Sequence, residues 1–266
     1  MIDEELISAA KLGQVSLFVG SGLSIGAGLP GWIDLIKPLA ERLSLDWTDN
    51  PKMVTEDQLL KTTQYFEQEF GRNSLISYLK NKLDSTGVDI TINHKLISSL
   101  PINILLTTNY DNLIERTYME AYKAFNVIVE DKEIPFWASQ KVQIVKLCGD
   151  LSRPASMAVT LNDFNNYQHS RSKIYERLKS TTEVSTLLFV GYSLQDPFLN
   201  RMWDNLNFEF GRFRRLGYAI VFDLPDMVLR DLRHRNIIPI SIEAKGISKT
   251  MALANWLSEF EKRISS

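Results

Sequence analysis

Short apolar runs alternate along the chain with longer segments of helical periodicity. Each run has the length and composition of a strand that is buried on both faces. The six runs are VSLFVG from Val15, INILLTT from Ile102, VQIVKLCG from Val142, TLLFVGY from Thr186, YAIVFDLP from Tyr218 and IIPISI from Ile237. Their alternation with helices predicts an α/β fold, with a parallel sheet covered by helices on both faces. Ligands of such sheets bind beyond the carboxyl ends of the strands.

A long stretch between the first two predicted strands has a helical pattern of its own, in DLIKPLAERL and SLISYLKNKL. This pattern predicts a helical insertion at about 45–99, after the first strand-helix unit and beside the sheet. No internal repeat, low-complexity tract or linker rich in Pro, Gly and Ser interrupts the sequence. We therefore expect a single domain over residues 1–266.

Charge and cysteine content narrow the possible partners of this fold. The chain has 30 Lys and Arg against 32 Asp and Glu, so its net charge of -2 provides no global field for nucleic acid or an anionic membrane. A single cysteine excludes an intramolecular disulfide and a cysteine-rich zinc site, and the histidines share no metal-ligand spacing. The start, MIDEE, lacks a secretory signal, and no apolar run approaches the roughly 18 residues of a membrane span. We expect a cytoplasmic protein that binds no metal, nucleic acid or membrane.

Closely spaced glycines follow the first predicted strand, in GSGLSIGAGLP. Glycine lets the backbone turn tightly and approach a ligand, and the N-terminus of the next helix attracts phosphate. The stretch therefore predicts a diphosphate cradle, although a tight turn from strand to helix explains the glycines as well. It does not match the dinucleotide fingerprint G-x-G-x-x-G, because Ile25 takes the place of the last glycine. The candidate cradle residues are Gly20, Ser21, Gly22, Ser24, Gly26 and Gly28.

Two later strands also end in polar residues that point to a ligand. Asn109 and Asp111 follow the second strand in TTNYD, where an amide can hold a hydroxyl or water and a carboxylate can accept a hydrogen bond. For Asp111, capping of the next helix is an equally good explanation. In GYSLQDP, Gly191 permits close backbone approach and Ser193 is a candidate contact to phosphate or ribose.

The strand IVKLCGD raises the question of what a cysteine does at its end. An apolar strand that stops at Cys-Gly-Asp delivers its last side chain to the ligand-binding edge of the sheet. Three interpretations of Cys148 are open: a catalytic residue, a packing residue, or a position that has lost a catalytic residue.

Taken together in this order, the stretches resemble the sirtuin-like superfamily. GSGLSIGAGLPGW is similar to its Gly-Ala-Gly-x-Ser loop, TTNYD to its Thr-Gln-Asn-Ile-Asp and VGYSLQDP to its Gly-Thr-Ser region. The resemblance runs from about Val15 to Ile242 and is strongest to a bacterial branch with TNYD, KLHGD and GYSxxDP. Many members of that branch hydrolyse NAD during antiphage defence. The resemblance implies a Rossmann-like sheet and NAD as the substrate, cleaved to nicotinamide and ADP-ribose.

The resemblance also implies roles for individual residues. The glycine loop, with Gly20, Gly22, Ser24 and Gly28, would hold the NAD diphosphate, and Ser193 would contact the nucleotide. Asn109 would position water or ribose, with Asp111 as the neighbouring carboxylate. Protein deacylation is not expected, because deacylases of the superfamily typically carry a four-cysteine zinc module that this chain cannot build.

In the same resemblance, Cys148 stands where relatives have the histidine of KLHGD. A histidine with a pKa near 6.5 exchanges protons at neutral pH, whereas a thiol near 8.5 is a poor general base. Three explanations are open: a weakened enzyme, an enzyme that uses another base such as His169, or a residue altered from the natural one.

Two other functions fit the same motifs. The chain would be a catalytically silent nucleotide-binding subunit of a defence complex, or it would transfer ADP-ribose to an acceptor. Because the sequence has little room for a sensor after the core, we expect control by homo-oligomerisation or by a separate sensor protein.

Overall fold

The computed structural model describes residues 2–47, 54–138, 140–192, 202–205, 208 and 215–266. Seven strands in these ranges form one sheet with the order β3-β4-β2-β1-β5-β6-β7, and all neighbours pair in parallel. The strands are β1 (Val15–Val19), β2 (Ile104–Thr107), β3 (Phe125–Ile128), β4 (Val142–Lys146), β5 (Thr186–Val190), β6 (Gly217–Val221) and β7 (Ile237–Ser241). All six predicted strands are present, which confirms the parallel sheet.

Helices precede, connect and follow these strands. They are α1 (Glu4–Lys11), α2 (Gly22–Ile25), α3 (Trp32–Arg42), α4 (Glu56–Phe70), α5 (Arg72–Lys82), α6 (Ile92–Ser99), α7 (Leu113–Glu120), α8 (Leu161–Asn165), α9 (Tyr167–Ser170), α10 (Ser172–Val184), α11 (Asp226–His234) and α12 (Lys249–Ser265). Thus α4, α5 and α6 fall within the range predicted for the helical insertion. In the described ranges, none of the helices has the length and apolar character that crossing a membrane requires.

Successive residues of each strand alternate between two hydrophobic clusters, one on each face of the sheet. In β2, Leu105 belongs to one cluster and Leu106 to the other. Helices α3, α4, α5, α10 and α11 contribute to the cluster of Leu106, and α1, α6, α7 and α12 contribute to that of Leu105. The prediction of helices on both faces of a Rossmann-like sheet is therefore confirmed.

One strand, β3, was not predicted from the sequence. β3 has four residues, Phe125–Ile128, and lies at the edge of the sheet, where it pairs only with β4 in the described part of the chain. Three of its four residues are only partly buried. An edge strand with polar Asn126 inside it does not form the continuous apolar run by which the central strands were recognised.

The strand order reverses at β1, which is the topological switch point of the sheet: β2–β4 lie on one side of β1 and β5–β7 on the other. This strand pairs with β2 on one side and with β5 on the other, so that Leu17 lies between Leu105 and Leu188. The loops that follow β1, β2 and β5 therefore meet at the carboxyl edge of the sheet. Open α/β sheets bind their ligands at such a reversal point.

Candidate functional site

The glycine loop after β1 is in direct backbone contact with the loop after β5. Gly20 N–H donates to the carbonyl of Val190 (3.0 Å), and Gly22 N–H donates to that of Gly191 (2.7 Å). A Cβ atom added at Gly20 or Gly22 would lie 2.7 Å from the carbonyl oxygen of Gly191. The sequence suggested that these glycines allow a ligand to approach the backbone. In the structure, Gly20 and Gly22 are required for the close contact between two loops of the chain itself.

Two further glycines are required by their backbone conformation. Gly191 has a φ of +62°, and a Cβ atom there would lie 2.5 Å from Leu23 N. Gly28 has a φ of +98° with open space around its missing side chain, so only its conformation demands glycine. Ser193, the other candidate of this region, lies outside the described residues.

A buried hydrogen-bond network joins the glycine loop to the loop after β2. The Asn109 side-chain amide donates from Nδ2 to Ser24 Oγ (3.0 Å) and, more weakly, to the carbonyl of Gly20 (3.3 Å). Ser24 Oγ in turn donates to Asp111 Oδ2 (2.8 Å). All three side chains are at most 6% exposed. The structure therefore brings together Ser24, Asn109 and Asp111, which the sequence analysis had selected from two separate motifs.

Asp111 and Asn109, at the two ends of this network, differ in whether their side-chain oxygens already accept hydrogen bonds. Asp111 Oδ1 accepts from the N–H of Leu113 (3.1 Å) in the first turn of α7, so its carboxylate caps a helix and also holds Ser24. The capping explanation for Asp111 is therefore confirmed, whereas its role towards a ligand stays a prediction. Asn109 Oδ1 is buried and has no hydrogen-bond partner among the described residues. Because buried polar atoms are rarely left unpaired, this oxygen is a ready acceptor for a ligand hydroxyl or a water molecule.

Cys148 lies in an apolar setting just after β4. Its side chain is 3% exposed and packs in the cluster that contains Leu147, Met157 and Tyr167. Its carbonyl accepts from Ala158 N–H (2.8 Å), and the hydroxyl of Tyr167 donates to the neighbouring carbonyl of Leu147 (2.8 Å). The loop that carries position 148 is therefore held on both sides of the cysteine.

A buried arginine, missed by the sequence analysis, fixes the same loop. The guanidinium of Arg171 donates to the carbonyls of Leu147 (2.7 Å), Val129 (3.3 Å) and Ser156, and its Cζ lies 5.5 Å from the centre of the Tyr167 ring. Its segment, QHSRSK, is polar throughout and carries no signal that distinguishes a buried arginine from a solvated one. Only the folded chain shows that Arg171 supports the loop after β4.

A second missed cation lies at the end of β4. Lys146 is fully buried, and its ammonium group pairs with Glu115 (2.9 Å) and Asp150 (2.5 Å). Burial opposes its charge, but the two carboxylates raise the pKa of Lys146 above its ordinary value. Burial raises the pKa of Glu115. At Asp150 burial also opposes the charge, but Lys146 and the hydrogen bonds from Ser152 together lower its pKa. A lysine inside the apolar run IVKLC was the signal in the sequence that could have identified this cluster.

A cavity of about 550 Å³ opens at the same edge of the sheet. Its walls come from the end of α5, the first turn of α7 and the loops after β2 and β4, and they include Tyr110, Glu115 and Asp150. Tyr110 lies between Asn109 and Asp111 in the sequence. The concave surface therefore adjoins the hydrogen-bond network.

The histidines occupy very different environments. His169, the alternative base suggested by the sequence, is exposed on α9. His94 is buried in α6, where its Nδ1 is 2.8 Å from Thr91 Oγ1 and its ring senses the charge of Asp111. No group of three or more His, Cys, Asp or Glu side chains in the described ranges is arranged to hold a metal ion.

His94 should make the protein sensitive to mild acid. Burial lowers the pKa of His94 to about 4, whereas in the unfolded chain it is near 6.5, so the unfolded state binds the proton first as the pH falls. His94 therefore costs no stability above pH 6.5 and lowers the free energy of unfolding between pH 6.5 and 4, by about 3 kcal/mol in total. Urea unfolding at pH 7.5 and 4.5 measures this loss.

His94→Gln should remove that part of the pH dependence, because glutamine does not titrate. His169→Gln, which changes an exposed histidine, is the matched control and should retain the full pH dependence of the parent. An equal loss of stability at pH 4.5 in His94→Gln and the parent would contradict this assignment.

A match to a protein family covers several of the candidate site residues. The model described as "SIR2-like domain" matches residues 103–240, slightly more than half of the chain, and this range contains Asn109, Asp111 and Cys148. The chain belongs to the SIR2-like family. The glycine loop after β1 precedes the matched range, but its hydrogen bonds to Asn109 and Gly191 tie it to this SIR2-like core.

Several curated relatives of this SIR2-like chain carry informative names. NAD(+) hydrolase ThsA of Bacillus cereus is 28% identical over 95% of this chain and 54% of its own length. The protein of the same name from Enterococcus faecium is 31% identical over 80% of this chain and 44% of its own. Defense-associated sirtuin 2 of Bacillus subtilis is 26% identical over 75% of this chain and 20% of its own. The chain thus spans about half the length of the first two.

Proposed function

We propose that this SIR2-like chain hydrolyses NAD to nicotinamide and ADP-ribose, and that it does so in the cytoplasm as the effector of an antiphage defence system. The observation that carries the proposal is the buried Asn109–Ser24–Asp111 network at the reversal point of the sheet, in which the amide oxygen of Asn109 has no partner among the described residues. The names of the relatives, NAD(+) hydrolase and defense-associated sirtuin, support both the substrate and the setting.

In the proposed complex, the loops after β1 and β5 hold the dinucleotide. Gly20, Ser21, Gly22, Ser24 and Gly28 are its proposed contacts from the first loop. Gly191 and Ser193 are those from the second. Support comes from the direct backbone contact between the two loops, which brings Gly20, Gly22 and Gly191 together at the sheet edge.

The proposed reaction needs a positioned water more than it needs an acid. The bond between the ribose C1′ and the nicotinamide nitrogen breaks, the bonding electrons leave with neutral nicotinamide, and a water oxygen bonds to C1′ while its proton passes to solvent. Because nicotinamide departs without being protonated, orientation of the ribose and the water supplies much of the rate. Asn109 is the proposed positioning group, since Nδ2 is anchored and Oδ1 is ready to accept from water or a ribose hydroxyl. Asp111, through Ser24, would keep the amide in this orientation.

Measurement of nicotinamide and ADP-ribose formed from NAD tests this proposal. We expect the chain as it stands to form equal amounts of both above the buffer blank, and we expect Asn109→Ala to lose this activity. Ser180→Ala, which changes a hydroxyl that bonds only within α10 in the described structure, should keep the parent rate. A parent rate that survives Asn109→Ala would contradict the proposed role of Asn109.

A second function is favoured by one observation, the thiol at position 148 in place of the histidine expected from the resemblance. A chain that lacks a proton acceptor there would bind NAD without cleaving it and would serve as a silent subunit of a defence complex. Tight NAD binding by calorimetry, combined with no nicotinamide release, would favour this silent subunit over the hydrolase.

The proposed reaction also requires control, because unrestrained hydrolysis would exhaust the NAD of the cell that makes the protein. We propose that activity is switched on by homo-oligomerisation or by a separate sensor protein. Light scattering with and without NAD would detect self-association, and a specific activity independent of protein concentration would count against it.

A further inference from the structure

The fully buried Lys146 has more partners than an ion pair needs. Its ammonium group lies 2.9 Å from Glu115 Oε1 and 2.5 Å from Asp150 Oδ2. It also donates to two backbone carbonyls, those of Asp111 (2.7 Å) and Tyr110 (3.2 Å). One cation thus gathers four oxygens, with its side chain wholly removed from solvent.

Three of these oxygens come from the two loops that carry the candidate catalytic positions, and the fourth comes from Glu115 in α7. Tyr110 and Asp111 directly follow Asn109 in the loop after β2. Asp150 lies two residues beyond Cys148 in the loop after β4. Thr107 and Lys146 form the last residue pair between the parallel strands β2 and β4. Beyond this pair, the ammonium group of Lys146 connects the two loops that follow the strands.

Stability alone does not explain this arrangement. Removing two or more charges from water costs free energy that a buried ion pair often fails to recover, and apolar side chains of similar volume are frequently as stable. A methionine at the end of β4, together with apolar side chains in place of Glu115 and Asp150, would fill the same space without that cost. What a methionine cannot do is hold two separate loops at a fixed distance through directed hydrogen bonds.

We propose that Lys146 is a positioning residue for the reaction at this edge, and that its ammonium group fixes the separation between Asn109 and the side chain at position 148. The inference rests on the proposed NAD hydrolysis. The link between the two loops that it requires can be tested without measuring NAD hydrolysis.

The first test uses Cys148 as a reporter, because it is the single cysteine of the chain. Its buried thiol reacts with iodoacetamide only when the loop after β4 opens. We expect Lys146→Met to speed alkylation by about 10-fold, the change produced by about 1.4 kcal/mol less resistance to local opening. The control is Leu257→Ala, a cavity variant in α12, compared at the same interval below its own melting temperature.

The second test uses catalysis in the Cys148→His background. A displacement of about 1 Å between reacting groups costs about 100-fold in rate, so Lys146→Met should lower kcat by about that factor while KM for NAD changes by less than about threefold. Lys146→Arg retains the charge and should restore part of kcat. Leu257→Ala should retain the kcat of its parent.

The two tests separate the inference from the proposed function. If neither the parent nor any variant releases nicotinamide, the proposal of NAD hydrolysis is wrong. The alkylation rates still test whether Lys146 links the two loops. Alkylation in Lys146→Met no faster than in Leu257→Ala would overturn the inference, as would equal losses of kcat in the two variants. If Lys146→Met does not fold, Asp150→Asn takes its place, and the same outcomes apply.

Discussion

Gly191→Ala is expected to abolish useful NAD binding, whereas Gly13→Ala, at nearly the same backbone conformation, is expected to leave it intact. The φ angles are +62° at Gly191 and +66° at Gly13, so alanine meets the same left-handed strain at both positions. A Cβ atom at Gly13 has nothing within 4 Å, but one at Gly191 would lie 2.5 Å from Leu23 N and 3.0 Å from the carbonyl carbon of Gly22. The pair of variants therefore isolates the contact between the two loops.

Backbone atoms on both sides of that contact prevent relief by a change of rotamer. The loops have to separate by about 1 Å to reach an ordinary contact distance, and a displacement of that size is worth about 100-fold in a positioned site. We also expect Gly191→Ala to lower the free energy of unfolding by about 2–5 kcal/mol, against about 1–2 kcal/mol for Gly13→Ala. Calorimetric titration with NAD and urea unfolding measure the two effects. Equal NAD affinity in the two variants would mean that the loop contact does not support the binding site.

Cys148→His is expected to raise the rate of nicotinamide release by about 10²–10⁴-fold, the usual contribution of a positioned general base. The resemblance to the KLHGD branch places a histidine at this position, and a neutral imidazole can accept the proton that the attacking water loses. The surrounding loop is held through the carbonyls of Leu147 and Cys148, and these hydrogen bonds do not involve the side chain at position 148.

Cys148→Gln is the matched control for this gain. Glutamine is of similar size to histidine and forms hydrogen bonds, but it takes up no proton near neutral pH, so its rate should stay close to that of the parent. In Cys148→His, kcat should fall as the pH drops through the pKa of the new imidazole, because the protonated ring cannot act as a base. Equal rates in the histidine and glutamine variants would show that no base is missing at this position.

Much of the fold and part of the site could be predicted from the sequence, for identifiable physical reasons. The five central strands are continuous apolar runs and were all recognised, as was the edge strand β7, which is also an apolar run although only partly buried. Because parallel strands end at the same edge, Asn109 and Asp111 could be placed near the glycine loop, and both now share hydrogen bonds with Ser24. The edge strand β3, half buried and interrupted by Asn126, lacked such a run.

The parts that were missed depend on partners far apart in the chain. Gly20 and Gly22 are needed where they meet Gly191, and no local pattern shows which loop approaches another. Lys146 is marked in the sequence only by its place inside an apolar run, and Arg171 lies in a polar segment. Their partners, the carbonyls of distant residues, are shown only by the tertiary structure. A rule that places charges at the surface therefore fails at the two positions that hold the loops of the site.

The most direct test of the whole account is the initial rate of nicotinamide release from NAD by Cys148→His, with and without Asn109→Ala. We predict rapid release by Cys148→His, with ADP-ribose as the other product. We also predict a loss of about 100-fold or more when Asn109→Ala is added, because the amide proposed to orient the ribose and the water is gone. No release by Cys148→His at saturating NAD, or a rate that Asn109→Ala leaves unchanged, would contradict the account.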